Sequence, residues 1–298
     1  MPKRYRDIVG DGGSNILAQV EEFQGRLRAR MARVRKKVAV TSGKGGVGKS
    51  VLTANLAAIL AADGRRVGVL DADLNGPSMA KLLGVRGQRL RLSPEGVHPA
   101  EGPLGIRVLS TDLLLSEDRA PLTWEAPTQQ DAFVWRETME ATALREFLAD
   151  AAWGDLDLLL LDLPPGAPRL PTLAGLLDLD GALVVTIPSE VAGLVVGRSV
   201  ELARTHGVRL LGLVENMAGY LCVACGTLGE LFPGDGESLA EASGLPLLGR
   251  IPFDPRIAWC ADRGRPYALE HAESPAGQAL RALAARLNDL LWEEGAER

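Results

Sequence analysis

The run Gly43-Lys44-Gly45-Gly46-Val47-Gly48-Lys49-Ser50 constrains this chain more than any other segment. Its frame is that of a phosphate-binding loop: a glycine, four residues, then Gly-Lys-Ser. An apolar run at 37–42 precedes it and an alanine- and leucine-rich run at 51–62 follows, which predicts strand, glycine loop and helix in that order. Glycines let backbone N–H groups turn inward around a phosphate. The helix N-terminus adds a partial positive charge at the same place. In that arrangement the backbone of Gly43 to Gly48 cradles phosphates, Lys49 reaches the outer ones, and the Ser50 hydroxyl ligates Mg²⁺.

The rest of the pattern repeats the strand–helix alternation. Short apolar strands are predicted at 37–42, 66–71, 105–110, 157–162, 181–188, 208–216 and 246–251. Several are nearly continuous Val, Leu and Ile, the mark of a mostly parallel sheet covered by helices on both faces. The expected fold class is therefore α/β, a P-loop NTPase. Segments 89–92 and 97–100 flank Ser-Pro-Glu-Gly and suggest a small hairpin. Residues 274–294 read as an amphipathic helix. Residues 14–37 have helical apolar spacing, with a basic solvated face formed by Arg26, Arg28, Arg30, Arg33, Arg35, Lys36 and Lys37. The expected organisation is an extension at 1–36, helical from 14, and an ATPase domain at 37–298.

Composition narrows the setting. The chain has 298 residues, 46% hydrophobic, enough for one large core. A net charge of −5 argues against broad binding to nucleic acid or anionic membrane. Three cysteines do not make a disulfide framework, and Asp162, Asp178 and Asp180 interrupt the longest apolar stretches. The first residues have no apolar run of the secretory kind behind them. A reducing, cytoplasmic location is expected.

Ligands of open α/β sheets bind at the C-terminal ends of the strands. Asp162, after a run of leucines, fits the carboxylate that holds Mg²⁺. Asp73, just past Asp71, fits the acid that positions the attacking water. Asn216 can present a donor and an acceptor to a purine edge, and the run Ile251-Pro252-Phe253-Asp254-Pro255, with Pro252 and Asp254 as contacts, could form the other wall of a base pocket. Cys222 and Cys225 have the spacing of a soft-metal chelate. The pair is half of the usual set, and His98, His206 and His271 lie far off in sequence. Two pairs facing across a two-fold axis would complete a four-thiolate site. An iron–sulfur cluster, a zinc ion and a redox dithiol all remain open on this reading. Cys260 has no partner at ligand spacing and is expected to be inert.

Lys44, directly after the first glycine of the loop, is similar to the extra lysine of the deviant Walker A class of MinD, ParA and the nitrogenase iron protein. That resemblance implies that Lys44 crosses a dimer interface to the partner's nucleotide, as an arginine finger does. Taken with Asp71-Ala72-Asp73, Gly76-Pro77-Ser78, Trp153-Gly154-Asp155, Asp162-Leu163-Pro164-Pro165-Gly166, Glu215-Asn216-Met217, the two cysteines and Pro252-Phe253-Asp254-Pro255, the chain resembles the Mrp/ApbC family of iron–sulfur carrier ATPases. The resemblance implies a homodimer, ATP and Mg²⁺ binding, and adenine contact by Asn216. It also implies a labile [4Fe–4S] cluster held between subunits by Cys222 and Cys225 and passed to apo-proteins. The chain departs from the family at Ala167, Pro168 and Arg169, where a hydroxyl and an acid are usual, at Val223 and Ala224 between the cysteines, and at Asn75. These departures leave binding intact and predict slow hydrolysis. A MinD/ParA-like spatial organiser and a nucleotide-gated scaffold with structural zinc are the alternative readings.

Overall fold

A computed structural model describes residues 16–114, 142–166, 169–222, 224–232 and 236–292. In chain order the helices are α1 (Ile16–Met31), α2 (Lys49–Ala62), α3 (Met79–Leu82), α4 (Arg169–Ala174), α5 (Glu190–Thr205), α6 (Gly236–Ser243), α7 (Pro255–Asp262), α8 (Tyr267–Glu270) and α9 (Pro275–Trp292). Residues 142–150 are also helical. The strands are β1 (Val34–Ser42), β2 (Val67–Asp71), β3 (Arg91–Ser93), β4 (Gly96–His98), β5 (Ala100–Glu101), β6 (Arg107–Leu109), β7 (Leu156–Asp162), β8 (Gly181–Thr186), β9 (Leu210–Leu221), β10 (Leu228–Gly229) and β11 (Leu247–Phe253). The central sheet runs β5–β6–β2–β7–β1–β8–β9, and β9 takes β11 on its other side. All of these pairings are parallel except β5 with β6, and β10 pairs antiparallel with the far end of β9. β3 and β4 form the separate hairpin expected between 89 and 100.

Alternation sorts the strand residues onto two faces. Leu158 and Leu160 join Val38, Val40, Val67 and Val69 under α2, α8 and α9. Leu159, Leu161 and Ala39 join the opposite face with α1, residues 142–150 and α4. The continuous leucines of β7 are therefore two interleaved stripes, both buried. Continuing the register carries Asp162 to the α2 face, beside Val40 on β1 and Asp71 on β2. The parallel order brings the ends of β1, β2 and β7 to one edge, where the phosphate loop sits.

Three boundaries differ from expectation. α1 ends at Met31 and β1 begins at Val34, so Arg35, Lys36 and Lys37 lie on a strand rather than on a basic helix face. Two of the three charges are matched: Arg35 pairs with Asp157 at 3.5 Å and Lys36 with Asp180 at 3.0 Å, while Lys37 Nζ donates to Val34 O at 3.2 Å. Arg33, in the turn, meets Asp155 at 2.9 Å. Leu27 and Met31 are 5% and 7% exposed and pack into the core, so α1 is part of the layer over the sheet and not a detached arm. β9 runs five residues past its expected end at 216, through Met217 at φ 57°, to Leu221. Residues 1–15, Ala167, Pro168 and residues 293–298, on which some of the sequence expectations fall, lie outside the described residues.

If α1 is structural, Leu27→Ala and Met31→Ala should each cost about 2–4 kcal/mol, the range for emptying a buried aliphatic site. Urea unfolding of the whole chain measures this, and a loss below about 0.5 kcal/mol for both, the level of ordinary surface changes, would detach the helix from the core.

Candidate functional site

The loop between β1 and α2 is built for close approach. Gly46 and Gly48 sit at φ 78° and 80°, the left-handed region that glycine enters at least cost. A Cβ at Gly48 would collide with Asn216 Nδ2, and one at Gly43 would stand 2.8 Å from Val195 Cγ1. Gly48 offers α2 no side-chain cap. The first-turn N–H groups of α2 are thereby left to face an anion. Pro165, in the turn after β7, packs 3.7 Å from where a Gly45 Cβ would be, and Gly166 N–H donates to Ser42 O.

Asp162 is the hub of this end. Its carboxylate accepts from Lys49 Nζ at 2.8 Å, Ser50 Oγ at 2.6 Å and Thr53 Oγ1 at 2.9 Å. Lys49 and Asp162 are 6% and 0% exposed, so this is a buried ion pair whose charges need each other. Thr53 was not singled out from sequence. The available signal was its place four residues after Lys49, on the turn of α2 that faces β7.

Asp71 has a different task. It is fully buried and accepts from the Ser78 and Met79 N–H groups at 2.8 and 3.0 Å and from Ser110 Oγ at 3.0 Å. Burial first, and the nearby Asp162 charge second, push its carboxyl up to about 7. It ties the 73–79 loop to the sheet. Asp73 is half-buried, donates its own N–H to Asp71 Oδ1 at 3.3 Å and accepts from Gly76 N–H at 3.0 Å. Lys44 is half-buried, and its carbonyl accepts from Ser42 Oγ at 3.1 Å.

Beside the loop lies an apolar pocket of about 160 Å³ whose lining includes Gly48, Asn55, Asn216, Met217, Phe253 and Ile257. Asn216 Nδ2 donates to Val47 O at 2.7 Å, which leaves its carbonyl oxygen and its second N–H for a ligand. Two sequence expectations need correcting. Asp254 does not face this pocket: its buried carboxylate caps α7 through Arg256 N–H, grips the Arg256 guanidinium with both oxygens and accepts from Tyr267 OH. Pro252 does not line it either; Phe253 and Ile257 form that wall.

Cys222 and Cys225 stand on a tight turn between β9 and β10. Cys222 N–H donates to Thr227 O at 3.0 Å and Gly226 N–H donates to Cys222 O at 2.7 Å. Cys222 is half-buried, Cys225 exposed and Cys260 buried. Hydrogen bonding from Thr227, and then from Cys222, lowers the Cys225 thiol to about 7, whereas burial raises the Cys260 thiol. Thiolates are the metal ligands, so Cys225 is the cysteine prepared for that role and Cys260 is not. Among the described residues no group of three His, Cys, Asp or Glu could hold a metal. Cys222 and Cys225 supply two sulfur donors on one turn.

The family of NUBPL-type iron-transfer P-loop NTPases, within the ParA group, matches residues 33–288. The chain belongs to this family. A relative from Saccharolobus solfataricus, named an iron-sulfur cluster carrier protein, is 42% identical over 260 residues, covering 86% of this chain and 84% of the relative. A protein of the same name from Methanocaldococcus jannaschii is 38% identical over 257 residues, covering 85% and 84%. Among solved structures, the nucleotide-binding protein of Archaeoglobus fulgidus in complex with ADP, in which Co was found, is 36% identical with a TM-score of 0.69, covering 82% of this chain and 92% of that one. The cell-division ATPase MinD of Pyrococcus furiosus has a TM-score of 0.61 at 24% identity over 86% of this chain and 99% of that one, a likeness of fold alone.

Family membership places no proton on a particular sulfur; the turn does. The alkylation rate of Cys225 should rise with pH to a midpoint near 7. Thr227→Ala should move that midpoint up toward an ordinary thiol, about 8.5. Iodoacetamide kinetics with peptide mapping measure both, and a wild-type midpoint above 8 would remove Thr227 as the cause.

Proposed function

We propose that this protein is an ATP-binding carrier that holds a labile [4Fe–4S] cluster on Cys222 and Cys225 of two facing subunits and passes it to apo-proteins. The observation that carries this reading is the half-site: two thiols on one turn, with no group of three possible ligands among the described residues, in a chain of the iron-transfer family. A two-fold axis through the pair supplies four thiolates without any other residue. The names of the relatives support the cargo. No helix among the described residues is long and apolar enough to cross a membrane. The net charge of −5 disfavours nucleic acid and anionic lipid as partners, and unpaired cargo thiols suit a reducing cytoplasm.

The nucleotide half of the proposal rests on the groups at the end of β7. The glycine cradle, the free first turn of α2 and the Lys49–Asp162–Ser50 cluster fit a nucleotide with its Mg²⁺. Ser50 and Asp162 would hold the ion, which neutralises phosphate charge when bound. Lys49 would exchange Asp162 for the outer phosphates. Asp73, on a loop held by Asp71, would orient the attacking water. Lys44 would serve the partner's phosphates in trans. Asn216 would meet the adenine edge above the pocket formed by Phe253 and Ile257. Hydrolysis is slow in this reading, because the segment after Pro164-Pro165-Gly166 offers Ala167 and Arg169 in place of the family's hydroxyl and acid.

Anaerobic reconstitution with iron and sulfide should give about one four-iron cluster per dimer, as four thiolates per site require. Cys222→Ala or Cys225→Ala should abolish it and Cys260→Ala should not, read by visible absorbance and iron and sulfide content. Stoichiometric zinc without affinity for iron would overturn the cargo.

For the nucleotide, Lys49→Ala should lose ATP binding, whereas Lys44→Ala should bind ATP and lose turnover. Replacing Ala167 and Arg169 by Thr and Asp should raise turnover. Phosphate release and calorimetry check these outcomes, and wild-type turnover in Lys44→Ala would remove its role in trans.

A further inference from the structure

The apolar pocket beside the phosphate loop and a second concavity share one wall. The second is an open cleft of about 740 Å³ beside the metal turn, whose lining includes Leu221, Cys222, Arg256, His271, Glu273 and Ser274. Three spans join the two. β9 carries Asn216 and Met217 at the pocket and, at its far end, Leu221 leading into Cys222 at the cleft. α7 turns Ile257 to the pocket and Arg256 to the cleft. Asn55 lines the pocket while its Oδ1 accepts from Ala268 N–H at 2.8 Å, which fixes α8, and the residues after α8 line the cleft.

One hydrogen-bonded group locks α7, α8 and the start of α9 together. Asp254 holds Arg256 with both carboxylate oxygens, at 3.0 and 2.6 Å. Tyr267 OH donates to Asp254 at 2.6 Å and lies 2.6 Å from Ser274 Oγ. Ser274 Oγ gives its hydrogen to the Tyr267 oxygen and accepts from Gly277 N–H at 3.0 Å, the start of α9. Tyr267 is 1% exposed, and burial together with Asp254 pushes its hydroxyl up to about 12, so it remains a donor throughout the neutral range. A change at the floor of the pocket therefore meets a wall that moves as a unit and not as separate side chains.

We propose that the cleft is the path by which a thiol-bearing ligand reaches Cys222, and that an adenine base in the apolar pocket sets this path within one subunit through the Asp254–Tyr267–Ser274 group. The inference rests on the carrier reading for its cargo and on the pocket for its base. The exchange served is a ligand substitution. One iron–sulfur bond to the entering thiol forms, the bond to Cys222 breaks, and the entering proton passes to the leaving thiolate with no change of oxidation state. Tyr267 is a positioning residue in this scheme. It lines neither concavity, so its replacement separates coupling from binding.

The test uses the full-length protein without cluster. Cys222 and Cys225 are alkylated with iodoacetamide at neutral pH, with and without saturating Mg-ADP, and each rate is read by peptide mass spectrometry. ADP should change the Cys222 rate by about fivefold or more, the lower end of ordinary site-to-site coupling, and the exposed Cys225 by less than about twofold. Tyr267→Phe should keep ADP affinity within about threefold by calorimetry and lose the effect at Cys222. An unchanged Cys222 rate in wild-type protein that demonstrably binds ADP overturns the proposal, whatever the stability of the variant. So does a full effect in Tyr267→Phe. A nucleotide effect at Cys222 in a protein that takes up no cluster would support this coupling and remove the carrier reading; cluster uptake with no nucleotide effect would do the reverse.

Discussion

The buried pair between Lys49 and Asp162 sets the conditions for everything around it. Two charges held away from water cost several kcal/mol each to desolvate, and their attraction offsets this only while the geometry holds. Here Asp162 ends the central strand β7 and Lys49 begins α2, so the pair joins the sheet to the helix that follows the loop. Ser50 and Thr53 complete the carboxylate's acceptors. The loop glycines have room to curve because this cluster, and not the loop, anchors the start of the helix. A phosphate and its cation would take over both charges at once, an exchange of partners with no net loss of pairing.

The sheet was legible in sequence because its strands are buried on both faces. A parallel strand covered by helices reads as a nearly continuous apolar run, and β2, β7 and β8 do so, with Leu158–Leu161 the longest stretch of one residue type among them. The loop, its flanking strand and helix, and Asp162 followed from spacing alone. β1 and α1 were misdivided for a physical reason. Arg35, Lys36 and Lys37 look like a solvated helix face, but on a strand they reach Asp157 and Asp180, which lie more than a hundred residues away in sequence. Only the fold brings those carboxylates near.

The apolar pocket beside the loop shows the same limit more sharply. Asn216 lines it from within β9, which continues to Leu221, and not from a strand end. Of the run 251–255, which ends a strand at the same edge, Ile251 and Phe253 line the pocket and Pro252 and Asp254 do not. A strand end decides which edge a residue occupies, but the neighbours of a side chain decide its work. Asp254 meets Arg256 and Tyr267 and becomes a fully satisfied structural anion. Thr53 and Asn55 were passed over inside an ordinary alanine-rich helix, yet one completes the carboxylate cluster and the other fastens α8.

The turn that carries the cysteines has a consequence for how the protein behaves in air. Cys225 is exposed and its thiol is half ionised near neutrality, with a second thiol three residues away. A thiolate so placed is the form that oxidants attack, and a neighbouring thiol resolves the sulfenic acid into a disulfide. Oxygen would thus close the turn on itself and remove both ligands from use, while the sheet, the loop and the buried Cys260 stay as they are. A sample prepared aerobically would be folded and able to bind nucleotide, yet blank to iron. Restoring it would need a reductant for the disulfide, not refolding.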